Sequence, residues 1–252
     1  MRKNNEEIKY SKNEKIGNIE KVRLDSEKIR KRDVKIKILK VSLLISSLFL
    51  IIIYFLLRAL YSSGSFTISI DQDFSRKTGI VAYEHLNEKD HKIILEAKNL
   101  EFVDNISVNW IPKDIDTEAE GSHNGENYIA YTFYLQNMGQ HTIDYWYQIP
   151  IDDVILNADT AIRVMIFRNG EKTIYAKKAA NGQPEPNTTE FFDDDMVCVE
   201  GVKNFEPGQV DRFTIVIWME GDDPECLNNI IGGQVKMHMD ITGEQIHKRS
   251  TK

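Results

Sequence analysis

Hydrophobic positions follow two different rules along this chain. Near the N-terminus they build one unbroken run, Val41–Leu57 (VSLLISSLFLIIIYFLL), with Lys40 before it and Arg58 after it. From Phe66 onward they alternate with polar residues, or gather in short apolar stretches between turn signals. The run holds seventeen uncharged residues. As a helix they cover about 25 Å, against roughly 30 Å of bilayer hydrocarbon. Ala59, Leu60 and Tyr61 lengthen the span if Arg58 extends its guanidinium to the headgroups. Tyr54 and Tyr61 suit the membrane interface. A core helix of a soluble protein rarely runs over four turns without a charge. The pattern therefore predicts one transmembrane helix over 41–61, after a basic tail over 1–40 that is disordered or partly helical.

A short link, 62–65, leads to a segment with strand periodicity. Phe66, Ile68 and Ile70 alternate with Thr67 and Ser69, as in a strand with one buried face. Strands are predicted next at 79–83, 91–95 and 107–111, and residues 112–127 read as an exposed acidic loop. Tyr128–Leu135 and Ile143–Ile149 are rich in aromatic and β-branched residues, and Asn137-Met138-Gly139 between them reads as a hairpin turn. Ala161–Phe167 and Thr173–Ala176 flank Asn169-Gly170, the sequence of a type I′ turn. Met196–Val199 is a short strand before a turn at Phe205–Gly208. Phe213–Met219 (FTIVIWM) is apolar almost throughout, as in a central strand covered on both faces. Asp223 and Pro224 suit the cap and first residue of a helix that Gly232-Gly233 ends. Val235, Met237, Met239 and Ile241 then share one face of a last strand.

Roughly nine short strands at regular spacing predict an all-β extracytoplasmic sandwich over 66–242, immunoglobulin-like or jelly-roll in type, with a polar tail over 243–252. Tyr131, Phe133, Trp146, Phe213, Ile215, Ile217, Trp218, Val235, Met237 and Met239 are its expected core.

Charge adds direction. Residues 1–40 carry +7 and residues 63–252 carry −15, within a whole-chain net charge of −7. Arg30, Lys31, Arg32, Lys35, Lys37 and Lys40 crowd the start of the run. Such a cluster holds the N-terminus in the cytoplasm and sends the C-terminal domain outside. The same cations favour anionic headgroups, which makes membrane lipid a partner. The acidity of the domain argues against nucleic acid. A second reading of the run stays open. Ser62 and Gly64 are spaced like the residues of a signal cleavage site, although a forty-residue lead is long for a signal peptide.

Chemistry is sparse. The sequence has no H-E-x-x-H, G-x-S-x-G, Walker or C-x-x-C motif. Its six histidines, His85, His91, His123, His141, His238 and His247, are scattered. Asp71–Ser75 begins like a calcium loop but meets Arg76 where glycine is needed and Ala82 where the bidentate glutamate belongs. Two acidic clusters remain, Asp193-Asp194-Asp195 and Glu220 with Asp222, Asp223 and Glu225. Calcium takes six to eight oxygens, so Asp222, Asp223 and Glu225 are candidate Ca2+ ligands. The competing reading is solvated loops with Asp223 as a helix cap. Cys198 and Cys226 both fall on the outer side, where they form a disulfide or stay as separate thiols. No catalytic residue and no other cofactor is indicated.

The stretches YTFYLQNMGQHTIDYWYQI, FEPGQVDRFTIVIWMEGDDPEC and GGQVKMHMDI resemble a group of uncharacterised surface proteins of Gram-positive, clostridia-like bacteria. More distantly they resemble the TasA/camelysin group of secreted β-sandwich proteins. The resemblance covers roughly residues 66–242, and the forty-residue basic lead departs from it. It implies a structural or interaction module of the cell envelope, working in adhesion, matrix or assembly with other envelope proteins or with itself. The alternatives it leaves are a surface hydrolase of the metalloprotease kind ascribed to camelysin, or a ligand- or calcium-binding sensor domain.

Overall fold

A computed structural model of the chain describes residues 30–56, 66–86, 90–98, 100 and 103–244. The tail before residue 30, Arg58, Ser62, Gly64, His247 and the C-terminal tail beyond residue 244 lie outside the described residues. The chain divides into two units, 1–63 and 64–252.

The first unit holds helix α1, Arg30–Leu56. It is long and apolar enough to cross a membrane, and none of its apolar window is buried by protein. It includes Arg30–Lys40, so the basic cluster before Val41 is itself helical.

The second unit is built from strands. In chain order they are β1 (Thr67–Ile70), β2 (Ile80–Tyr83), β3 (Ile94–Glu96), β4 (Gly121–Ser122), β5 (Tyr128–Asn137), β6 (Ile143–Ile155), β7 (Ile162–Arg168), β8 (Glu171–Ala176), β9 (Thr189–Glu190), β10 (Met196–Phe205), β11 (Val210–Met219) and β12 (Gln234–Thr242). Two short helices, α2 (Gln72–Thr78) and α3 (Ile115–Glu118), lie among them. Asp71 caps α2, its carboxylate accepting from the Phe74 amide at 2.7 Å.

The strands form two open sheets. The first runs β10-β6-β12-β1-β3, and the second β2-β5-β11-β7-β8-β9, with β4 on β5. All pairings are antiparallel except β1 with β12 and β8 with β9. The inward faces share one core, in which Tyr131, Phe133 and Leu135 of the second sheet meet Tyr145, Tyr147 and Ile149 of the first. Phe213 stacks on Phe133 and takes the edge of Tyr147, each at 5.2 Å between ring centroids.

The central strand is β11, paired with β5 and β7. Its Phe213, Ile215 and Ile217 face the main core. Val216 and Trp218 face outward into a second cluster, closed by Ile106, Ile111 and Ile115 from the segment between β3 and β4. Both faces are covered, which is why FTIVIWM does not alternate.

Several expectations are corrected. β5 and β6 are not a hairpin: β5 pairs within the second sheet and β6 within the first. Their apolar faces bury each other across the core instead of lying side by side. Asn137 holds this crossover, donating to the carbonyls of His141 and Phe205 and accepting from the Gly139 amide, each at 2.9 Å. Gly139 has to be glycine, because a Cβ there would lie 1.9 Å from the Thr78 carbonyl oxygen. The strand expected at 107–111 is a 3-10 turn, Val108–Trp110, and that expected at 91–95 supplies only the start of β3. The loop over 112–127 contains α3, β4 and buried Ile115. No α-helix follows Pro224; the segment has one 3-10 turn, Asn228–Ile230. Trp146 and Val235 are half-buried, whereas the other eight expected core residues are buried. The hairpin at Asn169-Gly170 is present as β7–β8, with φ of 55° and 88° at its two turn residues.

Candidate functional site

The ends of five strands meet at one end of the second unit. β6 stops at Ile155 opposite Gln234, where β12 begins. β7 starts at Ile162 opposite Met219, where β11 stops. β8 stops at Ala176 opposite Arg163. The loops 156–161, 177–188 and 220–233 therefore gather there, and loops on a rigid scaffold are where binding groups concentrate.

Arg163 is the centre of this end. It lies on the outward side of β7, next to Val164, whose side chain is in the core. Its side chain is only 4% exposed. Nη2 pairs with Asp223 and, at 3.4 Å, with Glu185, while Nη1 donates to the Ile162 carbonyl at 3.1 Å. Asp223 accepts from the Glu225 amide at 2.7 Å, and Glu225 accepts from the Ala180 amide at 2.9 Å. The second carboxylate oxygen of Glu225 is buried without a hydrogen-bond partner. Oxygens of Glu185, Asp223 and Glu225 lie within 4.8 Å of one another. One arginine against three carboxylates leaves an excess of negative charge. Burial, followed by the charges of Asp223 and Glu225, pushes the Glu185 carboxyl above its ordinary range, against the pull of Arg163. The arrangement staples loops 177–188 and 220–233 over β7.

The expected acidic cluster is thereby split. Asp223 and Glu225 join Arg163, and Asp223 caps no α-helix. Asp222 instead accepts from the Ser107 hydroxyl at 2.6 Å. Glu220 accepts from the Trp218 indole at 3.0 Å and from the Val108 amide at 3.1 Å, pinning the 108–110 turn. Asp193 and Asp194 form a turn before β10, and the Asp195 carbonyl accepts from the Ile151 amide at 2.8 Å. Sequence reasoning missed Arg163 and Glu185. Arg163 had a signal, a charge inside the otherwise apolar strand IRVMIF. Glu185 had none, standing between two prolines in a polar loop.

Of the two alternatives for Cys198 and Cys226, a bridge or separate thiols, this structure has two free thiols. Cys198 lies in the core on β10 of the first sheet. Cys226 lies in the loop after β11 of the second sheet, where it accepts from the Asn105 amide group at 3.1 Å. Complete burial pushes the Cys198 thiol well above its ordinary range.

A second polar chain crosses the outer face of the first sheet. Ser69 donates to Asp240 at 2.5 Å, and His238 lies between Asp240, at 3.2 Å, and Asp152, at 2.9 Å. The serine hydroxyl is bonded to a carboxylate and not to the imidazole, so the chain is not arranged as a nucleophile with its base.

No protein-family model and no curated protein matches this sequence. Among solved structures, a β-glucosidase from Kluyveromyces marxianus in complex with glucose aligns at 14% identity and a TM-score of 0.25. The alignment covers 72% of this chain and 18% of that one. At that score the likeness carries no argument about fold or activity.

Proposed function

We propose that this chain is a single-pass membrane protein whose β unit works outside the cell as an immunoglobulin-like or jelly-roll interaction module of the envelope. The observation that supports it is the pairing of two things in one chain. One is an apolar helix that no protein covers. The other is a β unit with its own core, whose loops at one end are tied down by buried ionic groups. A rigid scaffold with pinned loops suits binding, to other envelope proteins or to further copies of the chain. The basic cluster Arg30–Lys40 supports an N-terminus in the cytoplasm. The resemblance to TasA/camelysin-type surface proteins supports the same reading.

The test is protease added to intact protoplasts. The β unit should be degraded, leaving a fragment that contains α1 and the basic tail. A β unit that is protected until the membrane is broken would refute the topology. Mass analysis of the β unit recovered without protease distinguishes an uncleaved anchor from a chain cut after Gly64.

A further inference from the structure

Three Asn-Gly pairs stand in the sequence: Asn124-Gly125, Asn169-Gly170 and Asn181-Gly182. Such a pair has a chemistry of its own. Glycine carries no side chain to shield its amide nitrogen. That nitrogen can attack Cγ of the preceding asparagine, one route by which asparagine is thermolabile. The asparagine amide must be free to turn towards the nitrogen and to leave as ammonia.

The fold treats the three pairs differently. Asn124 is held at both ends of its amide. Nδ2 donates to the Lys98 carbonyl at 2.7 Å, and Oδ1 accepts from the Ala130 amide, on β5, at 3.0 Å. Asn169 is held by β11, donating to Asp211 and accepting from the Arg212 amide, each at 2.8 Å. Both side chains have donor and acceptor occupied by other segments.

Asn181 is not held in this way. It is exposed, in a turn of the 177–188 loop. The Gly182 amide donates to the Ala179 carbonyl at 2.8 Å, and the Ala179 amide to the Gln183 carbonyl at 3.0 Å. Oδ1 of Asn181 accepts from the Gln183 amide at 2.8 Å, inside the same turn. Its Nδ2 has no hydrogen bond among the described residues. A Cβ at Gly182 would meet nothing within 4 Å.

We propose that Asn181 is a site of spontaneous deamidation, with water as the co-reactant. Opening of the Gly182–Ala179 bond frees the attacking nitrogen. That nitrogen loses its proton to hydroxide and bonds to Asn181 Cγ. The charge that gathers on Oδ1 faces the Gln183 N–H, a donor already in place. The Cγ–Nδ2 bond then breaks, and Nδ2 leaves as ammonia with a proton from water. Water opens the resulting cyclic imide. Addition at Cγ gives aspartate, and addition at the main-chain carbonyl gives isoaspartate, whose backbone runs through Cβ and Cγ.

The modification acts on the staple around Arg163. Ala180, the preceding residue, donates its amide to Glu225 at 2.9 Å. Isoaspartate inserts a methylene into the backbone directly after it. Either product adds a negative charge to a loop whose Glu185 already shares Arg163 with Asp223. Ageing of Asn181 thus loosens the 177–188 loop.

The test holds the full chain, in detergent micelles, in warm, mildly alkaline buffer. Samples are digested and read by mass spectrometry that separates aspartate from isoaspartate peptides. Conversion at Asn181 should lead that at Asn124 and Asn169 by about tenfold or more, because those two first give up their cross-segment hydrogen bonds. The lead should vanish in denaturant. Equal rates in the native protein, or an Asn181 that converts only in denaturant, would overturn the assignment. Aged wild-type protein should be cut several-fold faster within 177–188 than fresh protein, and aged Asn181→Gln should not. Cleavage that ageing leaves unchanged, at a converted Asn181, would overturn the link to the staple.

Discussion

The Tyr145 hydroxyl, on β6 of the first sheet, donates to the Asp211 carboxylate, on β11 of the second. This bond ties the two sheets together inside the core. Asp211 is fully buried and also accepts from Asn169 at 2.8 Å and Arg168 at 3.2 Å. Burial, then the Asp211 charge, holds the Tyr145 phenol far above its ordinary range, so it stays a donor at every physiological pH. Tyr145→Phe keeps the ring against Phe205 but removes one donor from a buried carboxylate. The expected loss is about 1–3 kcal/mol of stability, measured by denaturant unfolding. A change below a few tenths would show that the bond contributes nothing across the sheets.

Arg163→Ala should destabilise by about 3–5 kcal/mol, the range for removing one partner of a buried ion pair. The reason is that Asp223 and Glu185, both buried, lose their countercharge. Loss of stability together with faster proteolysis within 177–188 and 220–233 is the outcome that matches a loop staple.

Glu185 gives the network a pH dependence. Its folded-state pKa is raised, so the folded protein holds the proton more tightly than the unfolded chain. Its contribution is most favourable below the ordinary glutamate value and is lost as pH rises through the raised value. Glu185→Gln should remove that segment of the stability–pH profile, and the difference between variant and wild-type curves isolates it from other carboxylates. A constant difference across the window would contradict the assignment.

Phe213→Ala should cost about 3–5 kcal/mol, as for other core aromatics. Phe213 touches both sheets through Phe133 and Tyr147. Trp146→Ala should cost clearly less, although tryptophan is larger, because its indole lies on the outer face beside Gly201 with the Lys203 ammonium 4.2 Å from the ring centroid. Paired denaturation curves decide the order of the two.

Thiol titration separates the cysteines. In the native protein one thiol, Cys226, should react readily, and Cys198 should react only after unfolding. Two thiols under denaturant, without reductant, match the structure. None, at a monomeric mass, would mean that the protein as made contains the bridge.

Some of this molecule was written in local pattern. An uninterrupted apolar run needs no tertiary partner to be recognised, and α1 contains it as far as Leu56. The β7–β8 hairpin was legible because Asn169 and Gly170 are the residues that tolerate positive φ, and turn geometry is set by two positions. FTIVIWM announced a doubly covered strand because burial on both faces erases alternation. Tertiary structure decided the rest. Asn137-Met138-Gly139 has the composition of a hairpin turn, yet it carries the chain from one sheet to the other. Period-two patterning says which face of a strand is buried, and is silent on whether the next strand lies beside it or across the core. Asp223 has the spacing of a helix cap, but a buried guanidinium attracts a carboxylate more strongly than a few amides do. Arg163 reaches it from sixty residues upstream. Glu185 comes to the same point from a third loop, and no spacing in the sequence records that convergence, because the strand ends that bring the loops together are set only when the sheets form.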